Sequence, residues 1–347
     1  MEEQIELFGE INDYRLTKKY REGVFKTRTE ILEEMYAKGF EKIYTVLSFG
    51  GGTQSAHLMN DMLIGRRKYD MAVFSDTGAE PQFIHEQVAW WQNRQKEFGD
   101  TMPFFITRHS KMDRGLEEML FRYIFTDYQR FQLPLYFNHL NEDGKEVPGG
   151  LMPPQCTGDF KIVPVQQMAR KFVLRDLGLK PTQRMPKNVG IIMDIGFSYD
   201  EIKRINQYQA SQFKYIYLSY PLVEENLTTN DSIQFLKDNN MPDKRSRCYL
   251  CPFNCDTTGV DWKEIILSEP LSFIKACFFD RELRAVQKTG RKNMRSIPYF
   301  HYSRIPLEEA YPEDFRFFSA IYKQELEAWK QEWFDILHQK YGKRISA

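Results

Sequence analysis

Residues 44–55 read YTVLSFGGGTQS, a β-branched and apolar run that breaks into three consecutive glycines and then into polar residues opening an amphipathic segment. A strand that ends this way and restarts as a helix is the first half of a βαβ unit, and chains built from such units fold around a parallel sheet. Gly50, Gly51 and Gly52 let the backbone approach an anion without side-chain obstruction. The following helix would aim its free N–H groups and positive dipole end at the same point. The layout is that of a phosphate-cradling loop, with a plain strand-to-helix turn as the alternative. No Gly-Lys-Ser/Thr follows the glycines, so the loop supplies no lysine for terminal phosphates.

The alternation continues downstream. The segment MAVFSD reads as a strand ending at Asp76, and Pro81 opens a helix carrying Ile84, Val88 and Trp91. The strand PFFITR, a helix near Met112 to Phe125, an irregular stretch, the strand VGIIMDI, a helix after Ser198 and the strand YIYLSYP complete the series. The expected fold is α/β, an open, mainly parallel twisted sheet with helices on both faces and a helical carboxyl-terminal region. Three segments are expected. Residues 1–40 form a helical extension, with Thr27 and Glu30 as a capping box and Ile31, Leu32, Met35 and Tyr36 on one face. Residues 41–222 form a nucleotide-binding α/β domain, and residues 223–347 a cysteine-cluster and helical region. The last element reads as one amphipathic helix from Pro312 to Tyr341, with Phe318, Ile321, Leu326, Trp329, Trp333 and Ile336 spaced for burial. Ligands sit at the carboxyl ends of parallel strands, which is where the glycine loop and the Asp76-Thr77-Gly78 turn fall.

At 347 residues and 42% hydrophobic content the chain has room for one large domain or two modest ones with a real core. Its 48 basic and 48 acidic residues cancel, so no global field recommends a nucleic acid or membrane partner. The start, MEEQIELFGE, lacks the basic and apolar regions of a signal peptide, and no stretch approaches the roughly 18 apolar residues of a membrane span. A cytoplasmic protein without a membrane partner is expected. The six histidines show no H-E-x-x-H spacing and no G-x-S-x-G elbow exists, which leaves hydrolase triads unsupported.

The strongest chemical signal is Cys248-Tyr-Leu-Cys251-Pro-Phe-Asn-Cys255. A C-x-x-C spacing places two sulfurs on one metal or cluster, and a third thiol after a proline-stiffened turn can close another side. Adjacent disulfides would be strained, so metal binding is the better reading of the three. Asp76 is either a turn aspartate capping its own loop or a carboxylate that helps hold Mg²⁺. Cys156 taken alone is a small buried hydrophobe. Lys161 is either a solvated lysine or the phosphate countercharge that the loop lacks, and Arg204 either reaches an anionic substrate or pairs with Asp200 at i,i+4. Lys288, Arg291, Lys292 and Arg295, flanked by Tyr299, Phe300 and Tyr302, form either a solvated loop or a nucleic-acid patch spanning 288–302.

Four ordered blocks between about Tyr44 and Leu283 resemble the phosphoadenosine phosphosulfate (PAPS) reductase-like family of the adenine nucleotide alpha-hydrolase superfamily. The first is its SFSGGKDS loop, matched at Ser48, Phe49, Gly51, Gly52 and Ser55, with Gly50 in place of serine, Thr53 at the variable position and Gln54 in place of aspartate. The others are D-T-G-x-E-x-P, matched at Asp76, Thr77, Gly78 and Glu80 with Pro81 one position early, C-T-x-x-x-K-I-x-P at Cys156 to Pro164 with G-I-S-x-D-E-x-x-R at Gly196 to Arg204, and C-x-x-C-P-F at Cys248 to Phe253. Some members carry a histidine directly after that phenylalanine, where Asn254 stands here.

The resemblance implies an adenine nucleotide, ATP or a relative, held with Mg²⁺ by Ser48, residues 50–55 and Asp76 to Gly78, with Asp76, Lys161 and Arg204 as candidate catalytic residues. Cys156 then becomes the natural fourth ligand beside Cys248, Cys251 and Cys255, while Cys277 is packing. Four thiolates fit either Zn²⁺ or a [4Fe–4S] cluster. The carboxyl-terminal E-C-G-x-H-like motif of true PAPS reductases is missing, because no cysteine follows Cys277. The expected activity is cleavage of the α–β phosphate bond of ATP to adenylate a substrate for sulfur transfer, with a nucleic acid and a sulfur-donor protein as possible partners. A non-catalytic nucleotide-binding module and a nucleotide-sulfate reductase using an external thiol are the alternatives.

Overall fold

Local chemistry starts the first helix. In a computed structural model, which describes residues 25–99, 102–207, 211, 213–254 and 262–342, the Thr27 side chain accepts from the Glu30 N–H and the Glu30 carboxylate accepts in turn from the Thr27 N–H. This capping box satisfies two donors that a helix start leaves open. The helix it starts buries Ile31 and Met35, whereas Tyr36, expected on the same face, stays exposed. The rest of the expected extension, residues 1–24, lies outside the described residues.

In chain order the elements are α1 (Arg28–Ala37), β1 (Lys42–Ser48), α2 (Thr53–Leu63), β2 (Met71–Ser75), α3 (Gln82–Glu97), β3 (Phe104–Thr107), α4 (Gly115–Phe125), β4 (Tyr136–Leu140), β5 (Glu146–Leu151), α5 (Val163–Asp176), β6 (Val189–Ile195), β7 (Ile216–Ser219), α6 (Pro221–Glu224), α7 (Thr229–Asp238), α8 (Trp262–Ser268), α9 (Pro270–Lys288), β8 (Ile297–Tyr299), α10 (Leu307–Ala310), α11 (Pro312–Ile321) and α12 (Lys323–Tyr341). A π-helical turn, Thr157–Ile162, leads into α5, and a 3₁₀ segment, Tyr199–Gln207, follows β6.

These elements divide into two units that are not consecutive stretches of chain. The first holds residues 25–74, Gln87–Ile106 and Val165–Lys244, and the second Ser75–Glu86, Thr107–Pro164 and the described residues from Arg245 onward.

The first unit is built on a five-stranded parallel sheet of order β3-β2-β1-β6-β7. Side chains alternate across a strand. Tyr44 and Val46 of β1, Met71 and Val73 of β2, and Ile191 and Met193 of β6 therefore share one face, which packs on Val165, Ala169 and Val173 of α5. Ile192, pointing the other way, packs with Ile31 and Met35 of α1. Burial on both faces explains why β2 is apolar from Met71 to Phe74, before the buried Ser75 that ends it. Outside the sheet, His57 of α2 stands 3.2 Å from Ser232 Oγ of α7 and stacks on Phe235 with ring centroids 4.3 Å apart.

Burial holds His57 below its ordinary pKa, against the pull of Asp61. The folded state thus takes up a proton less readily than the unfolded chain, in which a histidine titrates near about 6.5. His57 contributes stability that is complete above that pH and is lost as pH falls through the folded-state value. The urea midpoint should fall on acidification across that range, and His57→Gln should flatten the fall.

The second unit contains what the sequence reading leaves as an irregular stretch. Residues between α4 and α5 form the antiparallel hairpin β4–β5, and β8 from the carboxyl-terminal region pairs antiparallel with β4 through Tyr136–Tyr299 and Asn138–Ile297. The carboxyl-terminal region is therefore not all helical. The expected single last helix is two helices separated by one turn residue, Tyr322; Trp333 and Leu337 of α12 are buried, whereas α11 buries no residue and leaves Ile321 exposed. The core joins Phe121 of α4, Phe160, Trp262, Phe273 and Phe279 of α9, Phe300 and Trp333.

Candidate functional site

In the first unit the strand order reverses between β1 and β6, with β2 and β3 on one side of β1 and β6 and β7 on the other. Open α/β sheets take ligands outside the carboxyl ends of their strands at such a reversal. The residues there are Ser48, which ends β1 opposite Ile195 of β6, then the glycine loop and Gly196. Gly51 has φ +75°, a conformation that side chains disfavour. Its carbonyl accepts from the buried Gln87 amide, which also accepts from the Lys244 N–H at 3.1 Å. Gly52 is the N-cap of α2, and no side chain caps that end. The first-turn N–H groups of Thr53, Gln54 and Ser55 are thus the ones an anion would meet. A Cβ on Gly196 would stand 2.9 Å from the Ser55 backbone nitrogen, so only glycine lets the end of β6 come this close to α2.

The two residues that depart from the resembled loop differ in consequence. Gly50 is exposed, and a Cβ there would meet only Ser55 Oγ at 3.7 Å, so a serine fits. Gln54 is engaged: its amide donates to Glu201 at 3.2 Å and to Thr229 Oγ1 at 3.3 Å, and its carbonyl accepts from Thr53 Oγ1. Ser198 bonds the same Thr229 hydroxyl at 2.8 Å. Arg204 pairs with Glu201, not Asp200, and stacks 4.1 Å over the Phe197 ring. The expected α-helix after Ser198 is 3₁₀, in which residues three apart eclipse, and that explains the change of partner.

The second unit carries its own cluster. Asp76 Oδ1 accepts from the Gly78 N–H at 2.8 Å, and Oδ2 from Arg108 Nε at 2.8 Å. Burial would raise the Asp76 carboxyl, but the Gly78 and Arg108 hydrogen bonds outweigh it and hold the pKa below the usual range. Glu80 accepts from the N–H and hydroxyl of Thr77, and burial pushes its carboxyl up against the pull of Lys161. Ligand atoms of Asp76, Glu80 and His85 lie within 4.8 Å of one another.

Lys161 sits on the π-helical turn. Burial opposes its charge, yet Glu80, Cys248, Cys251 and Cys156 more than restore it and leave its pKa raised. Lys161 thus belongs to the surroundings of Glu80 and the thiols in the second unit. Cys156, Cys248 and Cys251 are free thiols. Cys248 and Cys251 share a hydrogen bond that draws Cys251 down to about 7 and Cys248 up, and Cys156 is raised to about 11 by burial and by Cys251. Two backbone clamps hold the C-x-x-C turn: the Tyr249 N–H donates to Ala79 O at 2.8 Å, and the buried Asn254 amide donates to Cys248 O at 3.0 Å. Cys255 lies outside the described residues. Cys277 is buried in α9, as expected for packing.

No protein-family model matches this chain, and no curated protein matches it.

The expected patch at 288–302 keeps one half-buried aromatic, Tyr302, and loses the other two. Tyr299 and Phe300 are buried, and the buried Lys292 ammonium donates to the carbonyls of Thr126 and Tyr128. Lys288, Arg291 and Arg295 remain exposed. Among the described residues no helix is long and apolar enough to cross a membrane. Sequence reasoning missed Gln87, His85, Arg108 and Glu117. Of these only Arg108 carried a signal, standing just past the end of β3 as Asp76 stands past β2.

Proposed function

We propose that this chain binds ATP at the glycine loop of its first unit and uses it to adenylate a substrate for sulfur transfer. One observation carries the reading: an uncapped helix start behind a glycine at φ +75°, at the strand-order reversal of a parallel sheet, with Gly196 closing the gap behind it. In this reaction a substrate oxygen attacks the α-phosphorus, the bond to the bridging α–β oxygen breaks, and pyrophosphate leaves with that electron pair. A sulfur nucleophile then displaces AMP from the adenylated atom. The backbone N–H groups of Gly52 to Ser55 stabilise the charge that builds on the leaving phosphates, and Mg²⁺ enters with the nucleotide.

In the second unit Cys156, Cys248 and Cys251 are soft donors of the kind that hold Zn²⁺ or an iron–sulfur cluster, although among the described residues it is Asp76, Glu80 and His85, not the three thiols, whose ligand atoms gather within 4.8 Å of one another. Such a group would supply thiolate-anchored metal chemistry, or a point of attachment for sulfide. Asp76 has both oxygens engaged, so its first role is to order the turn that carries Thr77 and Glu80.

Incubating the protein with Mg-ATP and nucleic acid should release pyrophosphate. Binding of ATP without release under any such condition would favour the non-catalytic module, for which the Gln54 network speaks. Failure to bind any adenine nucleotide would overturn the reading.

A further inference from the structure

Glu117 receives more donors than any packing role asks for. It stands in the first turn of α4, with its side chain only 13% exposed. Oε2 accepts from the indole N–H of Trp329 at 3.0 Å and of Trp333 at 2.9 Å, both on α12. Oε1 accepts from the Tyr249 phenol and lies 3.7 Å from Lys275 Nζ of α9. One carboxylate thereby joins α4, α9, α12 and the loop that carries the thiols. Hydrogen bonds to an ionised acceptor are roughly twice as strong as neutral ones, so this joint is stiff.

Tyr249 is the member with chemical consequence, because it is the residue directly after Cys248 in the C-x-x-C turn. Its backbone N–H is fixed by Ala79 O and its phenol by Glu117, so the turn is pinned at both ends of one residue. Glu117 and Tyr249 also line an open cleft of about 900 Å³ within this unit, together with Asp76, Arg108 and Lys275. A molecule entering the cleft meets both partners of the link.

We propose that Glu117 is a positioning residue for the Cys248–Cys251 thiol pair, acting through the Tyr249 phenol from the wall of this cleft. The inference goes beyond the nucleotide reading and stands whether or not the glycine loop takes ATP. Loss of the Glu117–Tyr249 bond frees the turn that holds the sulfurs without removing either sulfur. Loss of an indole bond to the same carboxylate weakens the attachment of α12 and leaves the turn in place.

The test is the rate at which Cys248 and Cys251 react with iodoacetamide in the full chain near neutral pH, followed by peptide mass spectrometry. Glu117→Gln and Tyr249→Phe should each raise the rate about fivefold, the equivalent of about one hydrogen bond. The double variant should go no further, because both changes break one link. Trp333→Phe should lower the melting temperature and leave the rate within about twofold of the parent. A parental rate in Tyr249→Phe, which deletes one oxygen and keeps the ring, would overturn the proposal even if Glu117→Gln failed to fold. So would an equal acceleration in Trp333→Phe, since Glu117 would then serve packing alone.

Discussion

If the glycine loop takes ATP as proposed, Gly51→Val should lower the affinity for Mg-ATP roughly 10- to 100-fold, the equivalent of the roughly 1–3 kcal/mol stored when a side chain is forced into a disfavoured backbone region. Gly51 has φ +75° and its carbonyl is held by Gln87, so a β-branched residue must either distort the loop or leave it. Gly50→Ser is the matched control. Its Cβ meets only Ser55 Oγ at 3.7 Å, and affinity should stay within about twofold of the parent. Titration calorimetry of the two variants separates a requirement for backbone conformation from a general intolerance of side chains. Parental affinity in a folded Gly51→Val protein would remove the glycine loop as the nucleotide cradle.

The largest loss of stability is expected from Asp280→Ala in α9. Asp280 is 1% exposed, accepts from the backbone N–H of Phe300 at 2.9 Å and of Leu307 at 2.8 Å, and pairs with Arg284, whose side chain is 12% exposed. Burial raises the Asp280 carboxyl, and Arg284 and the two N–H groups pull against it. Alanine leaves a nearly buried guanidinium without its counterion and two buried donors unmet, which costs about 3–5 kcal/mol. The urea midpoint should drop accordingly, and Asp280→Asn, which keeps one acceptor, should fall between. A loss below about 1 kcal/mol would mean that water replaces the carboxylate at this junction.

Legibility followed the range of the interactions. The capping box of α1, the run from β1 through the glycines into α2, and the periodic burial of Ile84, Val88 and Trp91 in α3 all depend on residues a few positions apart, and each was readable. The hairpin β4–β5 carried a local signal that went unread, Asp143-Gly144 with Gly144 at φ +72°, whereas the pairing of β4 with β8, about 160 residues away, is one that no local pattern encodes. The aromatic run at Tyr299 and Phe300 looked like a stacking surface for the same reason: its burial is contributed by partners distant in sequence. The long apolar pattern from Pro312 to Tyr341 overstated one helix, since periodicity reports which face is apolar and not whether anything covers it.

The candidate sites divide in the same way. Local sequence specified which atoms are present: three glycines after an apolar strand, a C-x-x-C turn, a lysine in a helical turn. Long-range packing assigned their work. It set Lys161 against Glu80 and three sulfurs, turned Arg204 to Glu201, and brought Tyr249 to Glu117 across 132 positions. Backbone conformation at a glycine is a property of a few neighbouring bonds and can be read from them. The charge that a lysine neutralises, or the carboxylate that steadies a thiol turn, depends on which distant surfaces exclude water together, and that is settled when the chain closes on itself.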